Sequence, residues 1–183
     1  MSAVFYEFDE VDEFSASAIG EPGSRVFYLS ARHGRQRVTV RCEKLQVKAI
    51  STWLRNVLND LPPSENRPMV GQPDLGVAPD HAFVLGPIGL GYDRVNDRLL
   101  VQLEELIDAD VDEEGTSDDD DETAPLADPT EPVDRGHIRF YVTRGQADAF
   151  CEHADRVVAA GRPPCQWCGH PIDPQGHACP RLN

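Results

Sequence analysis

Alternating apolar and polar residues mark strands in the first part of the chain, and the period then changes to that of a helix. Residues 25–43, RVFYLSARHGRQRVTVRCE, form two strand-like runs around His33 and Gly34, a turn where glycine can adopt a positive φ. The apolar residues that follow recur every three or four positions: Ile50, Trp53, Leu54, Val57, Leu58 and Leu61. This spacing predicts an amphipathic helix that ends at Pro62 and Pro63.

The second half of the chain shows the same order of patterns. Residues 81–93, HAFVLGPIGLGYD, and residues 98–106, RLLVQLEEL, predict two strands joined by a turn, and residues 137–142, HIRFYV, predict a third. Thr143 is a suitable N-cap for a second helix. The apolar stripe of that helix is Ala147, Phe150, Cys151, Ala154, Val157 and Val158, and Gly161 is placed to end it.

The last strand–helix pair matches the first at a separation of one hundred positions. The matching strand residues are Val38, Val40 and Cys42 with Ile138, Phe140 and Val142, and the helices match at Gln46 and Gln146. Upstream, FSASAIG at residues 14–20 loosely matches FVLGPIG at residues 83–89. We therefore predict an α+β fold, built from a duplicated strand-strand-strand-helix unit with a largely antiparallel sheet, in a domain of residues 1–160.

Negative charge is concentrated in one short run of the chain. The 183 residues include 17 Lys+Arg and 32 Asp+Glu, for a formal net charge of −15. Ten of the acidic residues lie between Asp108 and Glu122, where there is no basic residue. Such a run repels itself and offers little apolar surface to bury, so residues 108–135 are predicted to be a disordered insert. Residues 61–80, with five prolines, are predicted to be a second long loop.

The charge and the apolar pattern also limit the classes of partner. A net charge of −15 disfavours general binding to nucleic acid or to an anionic membrane surface. The apolar runs are too short for a membrane-spanning helix, and the first ten residues, MSAVFYEFDE, are acidic where a secretion signal is basic and then apolar. We therefore expect a cytoplasmic protein with no membrane partner.

Candidate metal chemistry is confined to the tail, residues 161–183. Cys165 and Cys168 have the two-residue gap of a metal knuckle, and His177 and Cys179 form a second pair after a segment rich in turn residues. Three thiolates and one imidazole suit a tetrahedral Zn²⁺ ion. Because four protein ligands leave no position open for water, the tail is predicted to be a knuckle with structural rather than catalytic zinc.

Other assignments of the cysteines and histidines stay open or are disfavoured. His170 is an alternative ligand to His177, although its place two residues after Cys168 would strain a small chelate ring. A redox dithiol formed by Cys165 and Cys168 is disfavoured, because the glycine and prolines that follow resist the helix that such motifs open. Cys42 and Cys151 fall on a strand and on a helix stripe, and we expect them to be buried thiols.

A second candidate site surrounds the first predicted hairpin, which carries five arginines: Arg25, Arg32, Arg35, Arg37 and Arg41. On a negatively charged protein, a local positive surface of this kind would contact an anion, an acidic partner or the acidic insert of the same chain. The simpler interpretation is that these are ordinary exposed strand residues, whose charge protects a strand edge.

Four stretches of the chain resemble a known family: AIGEPGSRVFYLSARHG, EKLQV, RGQADAF and AAGRPPCQWCGHPIDPQGHACPRLN. Together they are similar to DUF3090, an actinobacterial family of proteins of unknown function, and the terminal pattern GRPPC…CG.P.DP.GH.CPR.N is the most specific element. The resemblance covers nearly the whole chain and implies a cytoplasmic protein, but it assigns no activity. Cys165, Cys168, His177 and Cys179 match the tail motif of the family, which implies a shared metal site.

The sequence shows no evident set of a nucleophile, a base and an acid. We therefore assign no catalytic residue and favour a protein that is not an enzyme. We expect a non-catalytic adaptor or regulatory scaffold, whose zinc-stabilised tail presents a surface to a protein partner. One alternative is an enzyme or binder that recognises a phosphorylated or nucleotide-like small molecule through the arginine-rich hairpin. The other is a nucleic-acid-associated factor that contacts bases through Trp167, which the small positive charge of the tail disfavours.

Overall fold

A computed structural model of the chain describes residues 4–63, 68, 78–107, 135–162, 165–172 and 176–181. Residues 108–134 of the predicted acidic insert lie outside this description, as do residues 64–67 and 69–77 of the predicted loop. The predicted strands and helices lie within it, and so do the candidate metal ligands.

Several strands precede each of the two helices, as the sequence pattern predicts. The described elements are β1 (Phe5–Phe8), β2 (Glu13–Ile19), β3 (Val26–His33), β4 (Gln36–Cys42), α1 (Lys44–Asn59), β5 (Leu85–Asp93), β6 (Arg98–Glu105), β7 (His137–Thr143) and α2 (Arg144–Ala159). The predicted α+β class is confirmed. In the part of the chain that the structure describes, no helix is both long and apolar enough to cross a membrane.

The strands form two sheets, both largely antiparallel. One sheet has three strands in the order β2-β3-β4, and the other has four in the order β1-β7-β6-β5. All neighbours are antiparallel except β1 and β7, which pair in parallel. The sequence pattern did not predict β1, because its four residues give too short an alternation.

A short segment before β5 connects the two sheets at the edge of β4. The backbone N–H of Ala82 donates to the carbonyl of Thr39 over 2.8 Å, and the N–H of Arg41 donates to the carbonyl of Phe83 over 3.1 Å. Val84 forms a parallel bridge with Arg41. The chain therefore passes along the first sheet before it enters the second.

The two helices begin in the same way, one hundred residues apart. In α2 the Thr143 hydroxyl accepts from the N–H of Gln146, whose side chain accepts from the N–H of Thr143, so the predicted cap is confirmed. In α1 the Gln46 side chain accepts from the N–H of Glu43 in the same manner. Each glutamine also donates to a carbonyl outside its helix, Gln46 to Leu85 and Gln146 to Val11.

Residues that lie opposite one another across the strands show how the two halves correspond. In the first sheet, the row that ends in β4 consists of Ala16, Leu29 and Val40. In the second sheet, the corresponding row that ends in β7 consists of Leu90, Val101 and Phe140. Ala16 thus occupies the place of Leu90, whereas the match of residues 14–20 with 83–89 would assign it to Leu85. That part of the sequence match is out of register, and the duplication itself stays a prediction.

The core lies between the inner faces of both sheets and the apolar stripes of the helices. At its centre, the ring of Phe150 stacks on Phe14 at a centroid distance of 4.1 Å, and Phe140 meets Phe14 edge to face at 5.0 Å. Each of these three rings is at most 2% exposed. Because Phe14 belongs to the first sheet, Phe140 to the second and Phe150 to α2, this cluster joins the main parts of the fold.

Candidate metal centre

The Arg25 side chain packs at the end of α2, beside the first residue of the tail. The guanidinium of Arg25 donates to the carbonyl of Val157 over 2.9 Å and lies 5.1 Å from the ring centroid of Phe27. A Cβ at Gly161 would lie 2.9 Å from a guanidinium nitrogen of Arg25, so the arginine side chain packs closely against this glycine. The sequence signals the glycine that ends the helix, but not the arginine that packs on it.

Backbone hydrogen bonds fold the first ligand pair into a tight loop. The N–H of Cys165 donates to the carbonyl of His170 over 2.7 Å, and the N–H of Gly169 donates to the carbonyl of Cys165 over 2.8 Å. Gly169 has a φ of 74°, in the left-handed region that glycine adopts without a steric cost. The loop therefore depends on glycine one residue after Cys168.

The structure brings together the four candidate metal ligands that the sequence predicts. The ligand atoms of Cys165, Cys168, His177 and Cys179 lie within 4.8 Å of one another. The Sγ atoms of Cys165 and Cys179 are 3.9 Å apart, and Cys168 Sγ is 3.3 Å from His177 Nε2. A tetrahedral zinc ion with bonds of about 2.3 Å to sulfur and 2.0 Å to nitrogen needs separations of roughly 3.8 and 3.5 Å. The four side chains therefore fit an ion of this kind.

Hydrogen bonds within the cluster favour ionisation of the Cys165 thiol. The backbone N–H groups of Cys168 and Trp167 lower the pKa of the Cys165 thiol, because they stabilise its thiolate. The N–H of Trp167 lies 3.4 Å from Cys165 Sγ. Burial instead raises the pKa of Cys168, so a bound cation would supply the charge that its thiolate needs.

The alternative histidine lies outside the cluster. His170 is exposed, and its carbonyl closes the loop by accepting the hydrogen bond from Cys165. The imidazole among the four converging groups belongs to His177, which is half-buried.

The two remaining cysteines are buried in the domain, as the sequence predicts. Desolvation raises the pKa of Cys42 to about 12, and burial also raises that of Cys151. The Cys151 thiol lies 3.4 Å from the carbonyl of Ser51, to which it donates. Both thiols are therefore protonated core residues at neutral pH.

The five hairpin arginines do not converge on one site. Arg32 contacts the carboxylate of Glu13 over 3.2 Å and that of Asp12 over 3.4 Å, and Arg37 lies 3.6 Å from Glu13. Arg25 is at the end of α2, while Arg35 and Arg41 are exposed. The start of β2 and the residue before it thus supply counter-ions to the two arginines that lie opposite each other in β3 and β4.

Comparison with known proteins places these features in a family. The model of a family described as a protein of unknown function, DUF3090, matches residues 6–179. The chain belongs to the DUF3090 family. The match to DUF3090 ends at Cys179, so it includes all four side chains of the candidate metal-ligand cluster. No curated protein and no solved structure matches the chain.

Proposed function

We propose that the chain holds one structural zinc ion through Cys165, Cys168, His177 and Cys179 and acts as a non-catalytic adaptor. The observation that carries this proposal is the convergence of four ligand atoms within 4.8 Å. Thiolate and imidazole donors in this ratio favour zinc over the hard cations that prefer oxygen ligands. Since the protein would fill all four positions of a tetrahedral ion, the zinc would support the tail rather than activate water.

The adaptor role is supported by the side chain at the tip of the metal loop. Trp167 lies between two of the ligands and is 55% exposed, while the hydrogen bond from its N–H to Cys165 Sγ fixes its backbone on the loop. Exposed tryptophans held on a rigid support are frequent anchors of protein interfaces. We therefore propose a protein partner whose apolar pocket receives the Trp167 indole.

The two other proposed functions have less support. Recognition of a phosphorylated ligand through the hairpin would compete with the pairing of Arg32 and Arg37 to Glu13 and Asp12. Contact with nucleic acid through the tail would rely on few positive charges, chiefly Arg162 and Arg181.

The Trp167→Ala variant is expected to lose the partner while it keeps its zinc. Removing an aromatic anchor should weaken capture of the partner by about 30-fold or more, because a single anchor of this kind contributes about 2 kcal/mol or more. The measurement is quantitative affinity capture from a lysate of the native host, with the wild-type chain and the Gln166→Ala variant as references. Gln166 is exposed in the same loop, so its truncation should change little.

Equal capture by wild type and Trp167→Ala would contradict the adaptor proposal. Turnover of a phosphorylated metabolite by the purified chain, without a captured partner, would favour the enzyme alternative.

A further inference from the structure

The helix α2 shows how a helix covers the outer edge of a strand in this fold. Its Gln146 side chain donates to the carbonyl of Val11 over 2.6 Å, just before β2, and the His153 imidazole lies 2.8 Å from the carbonyl of Ala16 within β2. Ala149 and His153 on this face are each only 5% exposed. The side of β2 that faces away from β3 is therefore covered by α2.

The helix α1 approaches β5 in the same way at one end. Gln46 donates to the carbonyls of Leu85 and Gly86 over 3.0 and 3.1 Å. At the other end, Arg144 donates to the carbonyl of Pro62 over 2.6 Å and contacts Asp97, in the turn after β5, over 2.9 Å. The helix therefore runs beside β5 and in the same direction.

The face of α1 that matches the buried face of α2 is open. Ala49 and Trp53 stand one hundred residues before Ala149 and His153, yet Ala49 is exposed and Trp53 is half-buried. Leu45, one turn earlier, is 75% exposed. A groove of about 430 Å³ follows this face, lined by Leu45, Lys48, Ala49, Thr52, Trp53 and Asn56. Its small central residues allow another element to approach the helix closely.

The adjacent edge of β5 is also open. β5 is the last strand in the order β1-β7-β6-β5, and within the described ranges no strand pairs with its second edge. Soluble proteins usually protect such edges with charges, prolines or bulges. Pro87 and the register shift between Leu85 and Ile88 protect only the start, while residues 88–92, IGLGY, carry no charge. This stretch can accept another strand.

We infer that the edge of β5 and the open face of α1 form one interface, and that its occupant is a second copy of the chain. Antiparallel pairing of β5 with itself about Leu90 places Ile88 opposite Tyr92 of the second copy. It also joins the two four-stranded sheets into one sheet of eight strands. Such an arrangement closes on a two-fold axis, as most homodimers do.

The charges beside the interface favour a two-fold partner. Lys48 lies on α1 near the Leu85 end of β5. Asp60, Asp93 and Asp97 lie toward the other end, where Arg94 and Arg144 offset part of their charge. Antiparallel pairing brings Lys48 of one copy to the end of the other copy where aspartates outnumber these arginines, so opposite charges meet at both sides. The dimer would present two candidate metal-binding tails. Its formation does not depend on the proposed adaptor function of the tail.

The mass of the full-length, metal-loaded chain in solution tests this inference, by sedimentation equilibrium up to about 100 µM. The wild type is expected at twice the chain mass. Ala49→Glu and Leu45→Glu each place a charge in the interface and should weaken the dimer by on the order of 100-fold. Ala159→Glu is the matched control, an exposed helical alanine outside the groove, and should leave the dimer intact.

Hydrogen exchange shows whether the strand takes part. The amides of Ile88–Tyr92 should exchange at least about tenfold faster in Ala49→Glu than in the wild type at the same concentration. A monomeric wild type overturns the inference, even if contacts within the same chain protect the Ile88–Tyr92 amides from exchange. Folded Ala49→Glu and Leu45→Glu variants that remain dimeric also overturn it. Unchanged exchange at Ile88–Tyr92 in a dissociated variant excludes β5 from the interface and overturns it as well.

Discussion

The Cys165→Ser variant is expected to lose its metal and to unfold the tail, while the domain keeps its cooperative unfolding transition. In the described part of the tail, residues 161–162, 165–172 and 176–181, only Cys165 and Cys179 are buried. The described tail residues thus form no apolar core of their own, so we expect the proposed zinc ion to supply most of the folding free energy of the tail. Structural zinc supplies on the order of 10 kcal/mol in small sites of this kind at neutral pH.

Metal content and limited proteolysis measure this effect. The wild-type tail should resist cleavage, whereas the tail of Cys165→Ser should be cut rapidly at unchanged domain stability. Cys151→Ser is the matched control, because Cys151 is buried in α2 and hydrogen-bonded to Ser51, away from the cluster. A Cys165→Ser chain that is free of metal but still has a protected tail would show that other contacts fold the tail.

The Phe150→Ala variant is expected to lose about 3–5 kcal/mol of the free energy of unfolding, the usual cost of truncating a buried phenylalanine. Phe150 is 0% exposed and stacks on Phe14, which in turn meets Phe140. Its removal leaves a cavity where α2 joins the two sheets, and the rings on either side lose their contacts.

Urea denaturation followed by circular dichroism measures this loss. Val95→Ala serves as the control, because Val95 is 92% exposed in the turn between β5 and β6 and should change the free energy of unfolding by less than about 0.5 kcal/mol. A loss below about 1 kcal/mol for Phe150→Ala would mean that the three rings do not form the centre of the core.

Local patterns predicted the helices and most strands of this fold. The apolar period around Ile50 and Leu54, and that around Phe150 and Ala154, define two stripes whose central residues are buried in the structure, while Trp53 of the first stripe is half-buried. The arrangement of the strands was less accessible. β1 pairs in parallel with β7, which brings Phe5 beside His137, and no local pattern records a contact between residues so far apart in the chain.

The candidate metal ligands were predictable because their chemistry is local and specific. Two closely spaced pairs of soft ligands restrict the possible sites, and the turn residues between them allow the pairs to meet. The choice between His177 and His170 depended on backbone hydrogen bonds that the sequence does not show. The arginine-rich hairpin was harder to interpret, because the partners of Arg32 are Asp12 and Glu13, at the start of a neighbouring strand.

The zinc content of the purified full-length chain tests the central claim most directly. Elemental analysis after dialysis against metal-free buffer is expected to give one zinc ion per chain, and none for the Cys165→Ser and Cys179→Ser variants. A full-length chain that contains no zinc, yet keeps a folded, protease-resistant tail, would contradict the account.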